Sequence, residues 1–148
     1  MIQDVCTTAH ARMRNWLVIQ ANLAGLASLC LGAVVLLGWY LHEPALIQVN
    51  PAFVPMQYNT ALGFFLGGLA LLAALWSWHR SALCCGFLVL LVGLLTLAEY
   101  IFDIYLHIDQ LFMEHYIDVE TSPPGRMAPN TALCFSLTGL TVLIAVLR

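Results

Sequence analysis

Four apolar runs, each long enough to cross a bilayer, constrain this chain more than any other feature. Crossing about 30 Å of hydrocarbon takes roughly 20 helical residues at 1.5 Å each. The runs cover residues 16–41, 59–78, 82–106 and 130–147. Only 9% of the 148 residues are charged, against about a quarter in soluble domains. Polar groups therefore cannot cover the outside, and lipid must solvate most of it. The first run is too long for a signal-peptide core and no small-residue cleavage site follows it, so it reads as a retained anchor. The expected fold is all-α, an integral membrane four-helix bundle forming a single domain.

The few charges set an expected direction. Lysine is absent, and arginine occurs only at 12, 14, 80, 126 and 148. Arg12 and Arg14 precede the first span, Arg80 sits in the tight second turn and Arg148 follows the fourth span. Only Arg126 falls on the other side. By the excess of positive charge in cytoplasmic loops, both termini are expected on the cytoplasmic side. A net charge of −3 with so few cations excludes nucleic acid as a partner. The five cysteines form no CxxC pair and read as small apolar packing residues.

A self-match divides the chain in two. Met56-Gln57-Tyr58-Asn59-Thr60-Ala61-Leu62 matches Met127-Ala128-Pro129-Asn130-Thr131-Ala132-Leu133 at an offset of 71, and Tyr40-Leu41-His42 matches Tyr105-Leu106-His107 at 65. The chain thus reads as two tandem helical hairpins in parallel repeat, about 16–78 and 82–147. In both, Asn-Thr opens the returning helix, and Asn59 and Asn130 are expected to cap bare backbone donors there or to contact a ligand. Gly63-x-x-x-Gly67 allows close helix approach, and packing inside the bundle is favoured over packing between copies.

Polar groups inside the third run carry the functional signal. Glu99, Asp103 and His107 stand four apart, which on a helix continuing to 106 puts them on one face. A carboxylate at mid-membrane costs about 2.5–3.5 kcal/mol on insertion scales, so it persists only when paired, hydrated or protonated. One reading is an outward polar pocket sensing a ligand, ion or proton; the other is a structural network joining Glu99 to Gln20, Asn22 or a backbone group of a neighbouring helix, with Asp103 near the surface. Asp109 and Arg126 bracket the second outer loop and could pair, a contact expected to be structural and weak if exposed. His42, His107 and His115, with Glu43 and Asp109, offer a weak metal site, and two facing imidazoles can hold a haem. No local spacing requires either, so no cofactor is expected. Leu111, Phe112, His115 and Tyr116 suit a short interfacial helix.

The segment Leu95-Thr96-Leu97-Ala98-Glu99-Tyr100, then Ile108-Asp109-Gln110-Leu111-Phe112, then Gly125-Arg126-Met127-Ala128-Pro129-Asn130-Thr131-Ala132-Leu133, resembles the N-terminal membrane region of bacterial sensory proteins. There a similar block precedes PAS modules and a histidine kinase or diguanylate cyclase output. The resemblance covers most of 16–148 and implies an input or anchoring module that passes a stimulus through the last helix. It carries Glu99, Asp109, Arg126, Asn59 and Asn130 as recurring positions, while Asp103 replaces an expected small residue such as Gly. It implies a reading frame that continues past Arg148. The alternative is a small accessory subunit of a larger redox or photosynthetic membrane complex. Lipids, a second copy or partner membrane subunits are the expected partners. No nucleophile–base pair, phosphate loop or spaced metal motif points to an enzyme.

Overall fold

No proline interrupts any of the four apolar runs. Backbone polar groups in lipid must be bonded within their own segment, and a helix does this. The computed structural model describes residues 2–48, 50, 53–113 and 125–148, with side chains from Arg12 onward. Four long helices result: α1 (Ile2–Leu41), α3 (Tyr58–Leu75), α4 (His79–Phe102) and α5 (Pro129–Leu147), with a single turn, α2 (Pro44–Ile47), after α1. All four are long and apolar enough to cross a membrane, α1 over Arg12–Leu41. His115 and Tyr116 of the expected interfacial helix lie outside the described residues, and Leu111 and Phe112 are not helical.

Two helix ends close by the same device. Ser77 takes a left-handed conformation (φ 62°). Trp78 N then donates to Ala73 O at 2.8 Å and Ser77 N to Ala74 O at 3.3 Å, which satisfies the last carbonyls of α3. This ends α3 at Leu75 and makes the turn into α4 tight. At the other end of the spans His42 (φ 55°) does the same for α1, with Glu43 N donating to Gly38 O at 3.0 Å.

Helix α4 ends earlier than the apolar pattern predicts. Asp103 is its left-handed C-cap (φ 51°), so the helix stops at Phe102 rather than 106. Glu99, Asp103 and His107 consequently do not share a face: Glu99 is fully buried, whereas Asp103 and His107 are exposed.

Packing is pairwise. Helix α1 packs on α3 and α4 on α5, while α3 also touches α4 and α5; α1 contacts neither α4 nor α5. The four helices therefore do not close into a ring, because α1 lies outside α3. Glycines set both intimate pairs. A Cβ on Gly32 would lie 2.6 Å from Ala61 O, and one on Gly93 would lie 2.7 Å from Ala132 O. One on Gly68 would lie 2.6 Å from Gly25 O, and one on Gly139 would lie 2.6 Å from Gly86 O. Corresponding contacts stand 61 apart on α1 and α4 (Gly32 and Gly93, Gly25 and Gly86) and 71 apart on α3 and α5 (Gly68 and Gly139). The spacing of 71 equals that of the Met-x-x-Asn-Thr-Ala-Leu match, whereas the spacing of 61 differs from the 65 of the Tyr-Leu-His match. Gly63 faces the Phe135 ring, but Gly67 meets nothing within 4 Å, so only half of that glycine pair packs internally.

Candidate functional site

Buried charge collects where α4, the segment after it and the approach to α5 meet. Glu99 lies in the last turn of α4 and is 0% exposed; Asp109 is 3% and Arg126 6% exposed. None of the three lies on the surface. Because α4 ends at Phe102, the chain folds back, and Leu106 N donates to Glu99 Oε1 at 2.9 Å. The early helix stop thus supplies the donor that holds the buried acid.

Arg126 bridges the two acids. Its Nε donates to Asp109 Oδ2 at 2.9 Å and lies 3.6 Å from Glu99 Oε2. The first is a charge-assisted hydrogen bond; the second is too long for one and acts through charge. The guanidinium sits over the Tyr105 ring at 4.6 Å and the Tyr100 ring at 5.4 Å. Two aromatic faces near a buried cation favour its charge and fix its plane. Burial by itself would lower the Arg126 pKa, but the Asp109 hydrogen bond and the Asp109 and Glu99 charges more than offset this and hold it above its ordinary value.

Local backbone places these groups. Gly125 adopts φ 82°, and a Cβ there would lie 2.7 Å from Asp109 O, so only glycine lets the two segments approach and aims Arg126 at Asp109. Asn59 in the first turn of α3 donates through Nδ2 to Ile108 O at 3.0 Å and to Asp109 O at 3.4 Å. It is a cross-segment clamp and not the expected cap, since Gln57 holds the N-cap position and makes no side-chain cap bond. Asn130 is exposed, and its Oδ1 accepts from Thr131 N at 2.9 Å, a local first-turn bond that reaches no other segment. The N-cap of α5 is Ala128. Tyr100 OH donates to Met127 O at 3.1 Å, anchoring α4 to the residue beside Arg126.

Glu99, Asp109, Arg126 and Asn59 therefore come together, whereas Asp103, His107 and Asn130 stand apart. Gln20 and Asn22 do not reach Glu99. Gln20 is exposed, Asn22 Oδ1 accepts from Trp76 Nε1 at 3.2 Å, and α1 does not touch α4. His42 and His107 are exposed, and His107 Nδ1 lies 3.2 Å from Tyr105 O. His115 lies outside the described residues, and no group of three metal-ligating side chains forms among those described.

The cluster is charged but incompletely bonded. Among the described residues, Thr96 Oγ1, Glu99 Oε2, Asp109 Oδ1 and Arg126 Nη2 are buried and have no hydrogen bond. Buried groups left so cost about 1–3 kcal/mol each, so the site has unused hydrogen-bonding capacity in a place where that is expensive. Tyr100, Tyr105 and Thr96 were not singled out as site residues from sequence. A tyrosine directly after the acid in the apolar run was the available signal for Tyr100. Comparison with protein-family models, curated proteins and solved structures finds no match.

Proposed function

We propose that this chain is the membrane-embedded input module of a bacterial signal-transduction protein, lying in the inner membrane with both termini in the cytoplasm. The observation that carries this is the buried Glu99–Arg126–Asp109 cluster where α4 ends and α5 begins. It joins the end of α4 to the start of α5 through charges that a structural pin of this size does not need, and it retains unmatched polar atoms. A ligand, ion or proton arriving there changes the balance of a buried ion pair. Breaking such a pair by removing one partner is worth about 3–5 kcal/mol. That is enough to shift a two-state equilibrium across most of its range.

Relay follows from the packing. Helix α5 rides on α4 through Gly86, Gly93 and Gly139, where backbones are in contact, so displacement at Arg126 travels along α5 to its other end. The contacts recurring at 61 and 71 residues support the reading of two duplicated hairpins. Within it, Gly38 stands where the second hairpin has Glu99, and Pro55 where it has Arg126. On that reading the charges stand in one half of the scaffold only, which favours function over packing. The resemblance to sensory membrane regions supports the same reading.

Fusing residues 1–148 through α5 to a cyclase output domain tests this. The fusion is expected to have an output that changes several-fold in Glu99→Gln at equal membrane abundance. Output indifferent to Glu99, Asp109 and Arg126 substitutions would remove the proposal.

A second reading, an accessory subunit of a larger membrane complex, is favoured by one observation. Helices α1, α3 and α5 enclose an open groove of about 620 Å³ in which Gly67 meets nothing. A helix of another chain fits such a surface. Stoichiometric co-purification that is lost in Gly67→Leu would support that reading.

A further inference from the structure

Helix α1 is longer than the bundle it belongs to. Its 40 residues extend about 60 Å at roughly 1.5 Å each, twice the hydrocarbon thickness of about 30 Å. The turn that ends α3 meets it at Asn22, through Trp76 Nε1 to Asn22 Oδ1 at 3.2 Å. Before that point residues 12–20 are all exposed, and neither α4 nor α5 touches α1 anywhere. Residues 2–15 include Asp4, His10, Arg12 and Arg14 and are too polar for hydrocarbon. A continuous helix therefore leaves the membrane and stands in water without a neighbour from its own chain among the described residues.

One apolar stripe runs through both solvents. At about 3.6 residues per turn, Trp16, Ile19, Leu23, Cys30 and Leu37 lie within about 40° of one line. All are exposed. Gly25, Gly32 and Trp39, which pack on α3, lie on the opposite side. In the polar stretch the positions Ile2, Val5 and Ala9 fall on the stripe, and Gln3, Thr7, His10 and Arg14 fall opposite it. Ile2, Ala9, Trp16, Leu23, Cys30 and Leu37 stand seven apart. An apolar heptad kept over several repeats is the pattern of a helix that packs along another helix. From Trp16 onward lipid can cover such a face. In water it cannot, and a lone helix there is marginal without a packed apolar side.

We propose that this stripe is a dimer seam, where α1 packs in parallel and in register along α1 of a second copy. Whatever covers the stripe has to pass from water into lipid at the same depth. A second copy in the same membrane does so by construction, since it carries the same stripe in the same direction. The seam from Ile2 to Leu37 is about 50 Å long and about 10 Å wide, roughly 500 Å² on each copy. The sum of about 1,000 Å² reaches what a specific interface needs. Arg12 interrupts the seam at one layer. Its stem packs while its charge turns outward, and a single polar layer fixes register at some cost in stability. The seam holds whether the chain is an input module or an accessory subunit.

Native cysteines supply the test, because three exposed ones report on three helices: Cys30 on the α1 stripe, Cys84 on α4 and Cys134 on α5. Three variants of the full chain each keep one of these and replace the other four cysteines with alanine. Each is placed in liposomes at increasing lipid excess and oxidised with copper–phenanthroline. The Cys30 variant is expected to form a disulfide-linked dimer that persists on dilution, and the Cys84 and Cys134 variants are expected to stay monomeric. Trp16→Ala in the Cys30 variant changes an exposed position and leaves the fold intact. It is expected to weaken the dimer about tenfold, read from the lipid dilution at which half the crosslinking is lost, as for an aromatic anchor worth a little over 1 kcal/mol. No Cys30 dimer at any dilution, crosslinking as strong at Cys84 or Cys134 as at Cys30, or a dimer indifferent to Trp16→Ala would each overturn the proposal.

Discussion

Tyr100 and Met127 are joined by a hydrogen bond, Tyr100 OH to Met127 O at 3.1 Å, and Trp39 Nε1 to Met56 O at 2.9 Å is its counterpart 61 and 71 residues earlier. In both hairpins a ring near the end of the outgoing helix donates to the carbonyl just before the returning one. Only in the second does that carbonyl follow a charged residue, Arg126. Tyr100→Phe removes the bond and keeps the ring, so it is expected to destabilise by about 1 kcal/mol in reversible unfolding in bicelles. The Arg126 Nε–Hε signal should stay in place, because the ring beneath the guanidinium is retained.

The ion cluster should behave as a unit. Asp109→Asn and Arg126→Gln each leave a buried group without its partner, with an expected loss of about 3–5 kcal/mol. The double variant should lose less than the sum, by about 0.5–3 kcal/mol, as contacting residues do. Arg126→Lys should not rescue, since the contacts run through Nε and lysine has no counterpart to it. Additive losses in unfolding measurements would mean that Asp109 and Arg126 act separately.

Arginine charge gives the cluster a defined pH response. Its folded pKa is raised, so the stabilisation due to its charge is complete below the ordinary arginine value and is lost only as pH rises through the higher folded one. That window lies in strong alkali. The Arg126 contribution is therefore expected to stay constant from neutral pH up to at least about pH 10, given the strongly alkaline ordinary value of arginine. The difference in stability between wild type and Arg126→Gln, followed against pH, checks this; a fall toward zero at mildly alkaline pH would contradict it.

How much of this could be read beforehand depends on what each residue answers to. The four long apolar helices were legible because each run is long, apolar and free of proline. The Asp109–Arg126 pair was legible because two opposite charges bracket one loop. The end of α4 was not. Residues 104–106, Ile-Tyr-Leu, continue the apolar run without a glycine or proline, and only the left-handed Asp103 stops the helix. That one turn cost the shared face of Glu99, Asp103 and His107. Asn59 was expected as a cap because asparagine at a helix start usually is one. Its role as a clamp on Ile108 and Asp109 depends on a segment about 50 residues away, which no local rule reveals.

Glycine and asparagine-like positions separate the two kinds of backbone demand. Asp103 is left-handed and exposed, so Asp103→Gly is expected to be neutral or to stabilise by up to about 1 kcal/mol. Gly125→Ala meets both a positive φ and Asp109 O, and is expected to destabilise by about 1–3 kcal/mol. Thermal unfolding of both variants beside wild type settles the contrast, and equal effects would refute it.

The central claim is that the charge cluster at one end of the spans sets the position of α5 at the other. Distances between spin labels at Ser81 and Leu147, measured in lipid nanodiscs with the native cysteines replaced, test it most directly. Neutralising the acid in Glu99→Gln is expected to move or broaden the distance distribution. An unchanged distribution, with the Arg126 Nε–Hε signal showing that the cluster has been disrupted, would contradict the account.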